Sequence, residues 1–144
     1  LGSALAARLD KSERHTWVLL GDGEIQEGQI WEAAMAASHL EVSNLTAIID
    51  RNRIQNDDFV ESQMRVGDVG SKFLSFGWDV IKINGHNMKE ILNSLSDAKN
   101  RPKPTAIIAA TIKGKGVSFM ENNPSFHGAA PNERQYADAM EELS

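Results

Sequence analysis

The chain has 144 residues, 41% hydrophobic and 24% charged, ordinary values for a globular protein able to bury its own core as one domain. Its formal charge of −5, without any long basic run, argues against general nucleic-acid binding. It contains no cysteine, which excludes disulfides and thiolate metal sites, and no apolar run approaching the roughly 20 residues that span a membrane, so a cytoplasmic protein is the default expectation.

Leu1, Leu5, Ala6 and Leu9 recur at helical spacing, so residues 1–9 read as the end of an amphipathic helix. It begins with neither an initiator Met nor a capping residue, which leads us to expect a fragment lacking an upstream part. A polar connection over 10–16 leads into Trp17-Val18-Leu19-Leu20, an apolar run of strand length. Gly21-Asp22-Gly23-Glu24-Ile25-Gln26-Glu27-Gly28 then makes a glycine turn that carries carboxylates between strand and helix. The helix expected over Gln29 to Leu40 is apolar almost all round, which predicts burial, with Trp31 and Met35 in the core. Leu45 to Asp50 reads as a second strand, Asp50 to Asp58 as a polar loop, 69–76 as a short helix and Trp78 to Asn84 as a third strand. Met88, Ile91, Leu92, Leu95 and Ala98 form one stripe on a helix over Met88 to Lys99. Pro104 to Thr111 is a fourth strand with a continuous apolar centre. Glycine- and lysine-rich residues 113–116 end it, a long loop runs to about Asn132, and a helix over Glu133 to Leu143 closes the chain. Continuous apolar strands separated by helices predict one α/β domain, a parallel sheet with helices on both faces.

In such a sheet ligands bind outside the carboxyl ends of the strands. Three loops there are chemically unusual: 21–28 with Asp22 and Glu27, 50–58 with Asp50 and Asn52, and 112–128 with Lys113, Lys115 and His127. Hard oxygens suit a cation such as Mg²⁺, and cationic or neutral donors suit a phosphate. The free N–H groups of the helix start favour an anion that Asp22 alone would repel, and a cation between the two resolves that conflict. The glycines match neither the dinucleotide fingerprint nor a Walker loop. Asp50, Asn52 and Glu61 stand at positions 1, 3 and 12 of an EF-hand loop, but Gln55 replaces its turn glycine and a strand precedes it. Asp50 could equally cap a turn and Lys115 be a solvated loop charge. His15, His39 and His86 read as surface, helix-end and turn residues.

Gly21-Asp22-Gly23, with Asn52 thirty residues after Asp22 and beyond an apolar strand, resembles the thiamine-diphosphate-binding motif. Trp31-Glu32-Ala33-Ala34, Asp50-Arg51-Asn52-Arg53-Ile54-Gln55, Gly85-His86-Asn87 and Lys113-Gly114-Lys115-Gly116 narrow the likeness. So does Phe119-Met120-Glu121-Asn122-Asn123 followed by His127-Gly128. Together they resemble the N-terminal, diphosphate-binding half of transketolase over essentially the whole chain. The resemblance implies transfer of a two-carbon ketol unit from a ketose phosphate to an aldose phosphate, in the pentose phosphate pathway, with thiamine diphosphate. It implies that Asp22, the Asn52 side chain and the Ile54 main-chain carbonyl ligate Mg²⁺ or Ca²⁺. Gly21, Gly23 and Glu24 would belong to the cofactor loop, the Gly23 N–H approaching the diphosphate. His127 matches a histidine that contacts the diphosphate and is placed for proton transfer near a substrate hydroxyl. Lys113 matches a basic residue of the same site, and Glu27 a carboxylate at the interface between subunits.

The family's catalytic glutamate belongs to a pyrimidine-binding domain that residues 1–144, a partial diphosphate domain, do not include. The implied partner is a C-terminal subunit carrying that domain, in a homodimer or heterotetramer; a split gene and an excised domain both remain open. Gln55-Asn56-Asp57-Asp58 departs from the commoner form of this loop, which has a glycine after the aspartate. A 1-deoxyxylulose-5-phosphate synthase-like or dehydrogenase-type subunit using 2-oxo acids is the alternative within the superfamily, against which Phe119 to Gly128 favours transketolase. A non-catalytic domain retaining the fold is the alternative outside it.

Overall fold

Four parallel strands form one sheet in the order β1-β2-β4-β3. They are β1 (Thr16–Gly21), β2 (Leu45–Arg51), β3 (Asp79–Asn84) and β4 (Thr105–Ala110). The computed structural model describes all 144 residues. Its helices are α1 (Gly2–Leu9), α2 (Gly28–His39), α3 (Val60–Gln63), α4 (Val69–Ser75), α5 (Met88–Lys99) and α6 (Glu133–Glu142). Every expected element is present with ends within a residue of those expected. Three short features are additional: α3 and the 3₁₀ turns Glu24–Gln26 and Pro124–Phe126. A single turn is too short to show a period in sequence. No helix is long and apolar enough to cross a membrane.

Helix starts follow side-chain chemistry. The Asn87 side chain accepts from the N–H groups of Lys89 and Glu90, and Asp68 accepts from Ser71 N–H. Asn132 and Gln135 form a reciprocal capping box at α6.

The side-chain alternation of the strands separates two faces. Val18, Leu20, Ala47, Ile49, Val80, Ala106 and Ile108 join the core cluster on the face that receives α2 and α4. Phe73 is buried at its centre, a burial that stabilises by about 1.5–3 kcal/mol. Trp31 packs on Phe73 and Phe76 at ring separations of 5.4 and 5.8 Å. The Trp78 indole N–H donates to the Ala34 carbonyl at 2.8 Å, tying α2 to the entrance of β3.

Two expectations of burial need correction. Within α2 only one side is covered: Ala34 and Ala37 are buried, while Met35 is 50% exposed and lies outside the core. A helix laid on a sheet buries one stripe, whatever its outer residues are. The opposite face of the sheet is covered unevenly. There α5 packs against β3, and Leu19 on the edge strand β1 is 69% exposed.

Candidate functional site

The parallel register sets Gly21 beside Asp50, and Asp50 beside Ala109. The loops after β1, β2 and β4 therefore leave the sheet at one rim. They enclose a cleft of about 570 Å³ whose wall includes Gly21, Gly23, Glu24, Glu27, Asn52, Ile54, Lys113 and His127. Residues up to 106 positions apart in sequence, Gly21 to His127, thus meet at one place. Asp22 is buried at the same rim rather than standing on the open wall.

Asp22 is the centre of the arrangement. Its Oδ2 accepts from Arg51 Nη1 at 2.9 Å and from the Arg53 N–H at 2.5 Å, whereas its buried Oδ1 has no partner. An unpaired buried polar atom costs about 1–3 kcal/mol, a penalty that a cation at this oxygen would relieve. Arg53 sits in the left-handed region at φ 67°, a strain of about 1–3 kcal/mol for a residue with a side chain, and this conformation aims its N–H at Asp22.

The next residue supplies a second oxygen. Ile54 bridges Phe59 at a position flanked by the Val60 N–H to Arg53 carbonyl and Gln55 N–H to Asp58 carbonyl bonds. In an antiparallel bridge of that kind the middle residue makes no ladder bond, and the Ile54 carbonyl is free. Asn52 Oδ1 accepts from Ile54 N–H at 2.9 Å and keeps a second lone pair. Its Nδ2 donates to Asp50 Oδ2 at 3.0 Å, and the Thr111 hydroxyl donates to Asp50 Oδ1. Asp50 is therefore the holder of the Asn52 amide, an outer support of the kind that orients ligands. No group of three or more His, Cys, Asp and Glu side chains gathers to hold a metal. The available set is one carboxylate, one amide and one carbonyl, which suits Mg²⁺ or Ca²⁺ completed by phosphate and water.

The glycine turn is built for close approach. A Cβ on Gly23 would lie 2.7 Å from the Gln55 Cβ. Glu24 Oε2 accepts from Gly21 N–H at 3.1 Å, so that carboxylate closes its own loop. Glu27 is exposed at the start of α2, on the cleft wall.

The loop over 112–128 is knitted before it reaches the cleft. Asn122 N–H donates to the Lys113 carbonyl at 3.0 Å. Glu121 accepts from Lys115 Nζ at 3.0 Å and from Gly116 N–H at 3.1 Å, which makes Lys115 a paired loop charge. The Ser118 N–H and hydroxyl both donate to Glu142 on α6, at 2.5 and 2.6 Å. His86 Nε2 accepts from Ile112 N–H at 2.7 Å, joining the turn after β3 to the base of this loop. His15 lies at the other end of the sheet, 2.8 Å from the Thr46 hydroxyl.

These tethers carry a pH dependence. The Gly116 N–H, then Lys115, holds the Glu121 carboxyl below its ordinary 4.5, and the Ser118 hydroxyl and N–H do the same for Glu142. A carboxyl depressed in the folded state stabilises above its ordinary value and loses that contribution as pH falls through the depressed one. Melting temperature should therefore drop below about pH 4.5, and Glu142→Gln should flatten that acid limb. Circular-dichroism melts across the limb check this; an unchanged slope in the variant would remove the tether as a contributor.

Comparison with known proteins agrees with the geometry. Residues 5–144 match the family "Transketolase, thiamine diphosphate binding domain". An apulose-4-phosphate transketolase subunit of Phocaeicola vulgatus is 43% identical over 146 aligned positions, covering 100% of this chain and 52% of that protein. A 6-deoxy-6-sulfo-D-fructose transketolase subunit of a Clostridium species is 38% identical, covering 99% and 52%. The crystal structure of Campylobacter jejuni transketolase superposes with a TM-score of 0.88 at 33% identity, covering 97% of this chain and 22% of that one. The chain thus spans about half the length of the two subunits. With this fold, this rim and a match over residues 5–144, the chain belongs to the transketolase family, within its thiamine diphosphate binding domain.

Proposed function

We propose that the chain supplies the metal–diphosphate half of a transketolase active site, in which a two-carbon ketol unit passes from a ketose phosphate to an aldose phosphate. The observation that carries this reading is the unpartnered, buried Asp22 Oδ1, at the rim from which the loop carrying the free Ile54 carbonyl and the Asn52 amide leaves the sheet. These three would hold Mg²⁺ or Ca²⁺, with diphosphate and water completing the shell. Gly21 and Gly23 let backbone approach the diphosphate, and the first N–H groups of α2 add their partial positive charge. Glu24 serves this loop through its bond to Gly21 N–H. Lys113 adds a full charge on the cleft wall, and His127, exposed on the same wall, would hold and move a proton at the substrate hydroxyl. When bound, thiamine diphosphate supplies the electron sink for breaking and making the carbon–carbon bond.

Glu27 would meet a second subunit, coupling two sites in a homodimer or heterotetramer that works on sugar phosphates of the pentose phosphate pathway in the cytoplasm. The remaining catalytic group would come from a pyrimidine-binding domain on a C-terminal subunit. That both half-covered relatives are themselves transketolase subunits supports a divided enzyme.

Residues 1–144 alone should bind metal–diphosphate weakly and turn over no ketose phosphate. The full-length subunit mixed with its pyrimidine-domain partner should give a working transketolase in a coupled assay. Turnover by the isolated chain would overturn the need for the partner. Pyruvate outperforming every ketose phosphate as donor would replace the transketolase reading with a 2-oxo-acid one.

A further inference from the structure

Arg51 is a charged residue at the rim that the proposed chemistry leaves unused. It ends β2 with its side chain only 14% exposed, and it forks between two carboxylates. Nη1 lies 2.9 Å from Asp22 Oδ2 and Nη2 lies 2.8 Å from Glu61 Oε1. With the Arg53 N–H also on Oδ2, two donors converge on one Asp22 oxygen and none on the other. A carboxylate loaded in this way cannot turn about its Cβ–Cγ bond without losing a charge-assisted hydrogen bond away from water. The free oxygen therefore has one direction.

The far end of the fork is anchored too. Glu61 stands on the single turn α3, whose neighbouring Val60 is buried and donates its N–H to the Arg53 carbonyl. Although the Glu61 side chain is 44% exposed, its backbone is fixed by that core contact. An arginine held at both prongs loses its rotamer freedom once, in the folded chain, instead of at each binding event.

We propose that Arg51, braced by Glu61, is a positioning residue that keeps Asp22 Oδ1 directed at the cation; this rests on the proposed metal–diphosphate site. Two effects of the guanidinium have opposite signs. As a point charge near a cation it weakens metal binding, so its removal would tighten binding. As a positioning device it strengthens metal binding, so its removal loosens it. The sign of the change separates the two.

The test uses the full-length subunit with its pyrimidine-domain partner, thiamine diphosphate in excess and Mn²⁺ as probe, free Mn²⁺ being read by electron paramagnetic resonance. Arg51→Met should weaken Mn²⁺ binding about 10- to 100-fold, the range seen when an outer support of a metal ligand is lost. Arg51→Lys, which keeps the charge but reaches one carboxylate at a time, should recover part of it. Glu61→Ala should weaken binding in the parent and change nothing further in Arg51→Met, because Glu61 acts through Arg51. Unchanged or tighter Mn²⁺ binding in Arg51→Met would overturn the proposal. So would an equal Glu61→Ala effect in both backgrounds. Should Arg51→Met fail to fold, Glu61→Ala and Arg51→Lys decide: both must loosen Mn²⁺, and parental affinity in either sinks the idea. A parent complex that binds no Mn²⁺ with thiamine diphosphate overturns the metal site itself, and this inference with it. A parent that binds, with variants alike, overturns the inference alone.

Discussion

Asp22→Ala should lower the affinity of the assembled enzyme for thiamine diphosphate with Mg²⁺ by at least about 100-fold, since even outer-support losses reach that range. Of the three protein oxygens only this one is charged, and the only buried carboxylate oxygen without a partner at the rim is its Oδ1. The fold should survive. Arg51 keeps Glu61 as a partner, so the variant does not strand an unpaired buried cation, which would cost about 3–5 kcal/mol. It also removes the unmet oxygen. The difference should therefore appear on adding ligand. A parent protein at a hundred times its Kd gains about 2.7 kcal/mol of stability, and the variant should gain almost none. Calorimetry and paired melts with and without Mg²⁺–thiamine diphosphate measure both quantities, and equal affinity in the two proteins would dispose of the metal assignment.

Gly23→Ala should cost both stability and affinity, and Gly28→Ala neither. Gly23 has φ −74°, which alanine adopts without strain, so the whole effect is contact. The new Cβ would meet the Gln55 Cβ at 2.7 Å and its Cα at 3.7 Å. Gln55 cannot swing aside freely, because its N–H is bonded to the Asp58 carbonyl at 3.0 Å and it follows Ile54. Relief moves that segment, and the Ile54 carbonyl with it. Overpacking of this kind costs about 1–3 kcal/mol. If about half of a 3 kcal/mol strain falls on the bound geometry, affinity drops roughly tenfold. A Cβ on Gly28 meets nothing within 4 Å at the first turn of α2. There alanine should stabilise by about 0.4–1 kcal/mol through the unfolded chain. Denaturant melts and calorimetry on the two variants, side by side, check this; like behaviour would mean that the turn and Gln55 are not in close approach.

The long elements were legible because their signals are local. The α5 stripe of Met88, Ile91, Leu92 and Leu95 repeats within one helix, and the Ala-Ile-Ile-Ala-Ala centre of β4 is a run of neighbours. Strand order was not legible, since β4 slips between β2 and β3 by a crossover that no single segment encodes. The exposed side of α2 was hidden for the same reason. Met35 is apolar, but which side of a helix meets the sheet depends on what lies outside that helix.

At the rim the residue types and the Asp22 to Asn52 spacing, read through a family resemblance, named the cleft residues that the fold then brought together. The division of labour among them came from pairing across the chain. Asp50 holds the Asn52 amide under the Thr111 hydroxyl, 61 residues away, and Lys115 is taken up by Glu121. Sequence alone determined that this is an α/β chain with three polar loops suited to a cation and a phosphate, because apolar periodicity and side-chain chemistry are carried by the residues themselves. Only the tertiary structure decided which oxygen of Asp22 is left without a partner. That choice depends on the parallel register, which brings Arg51 and the Arg53 N–H, 29 and 31 residues away, onto the other one.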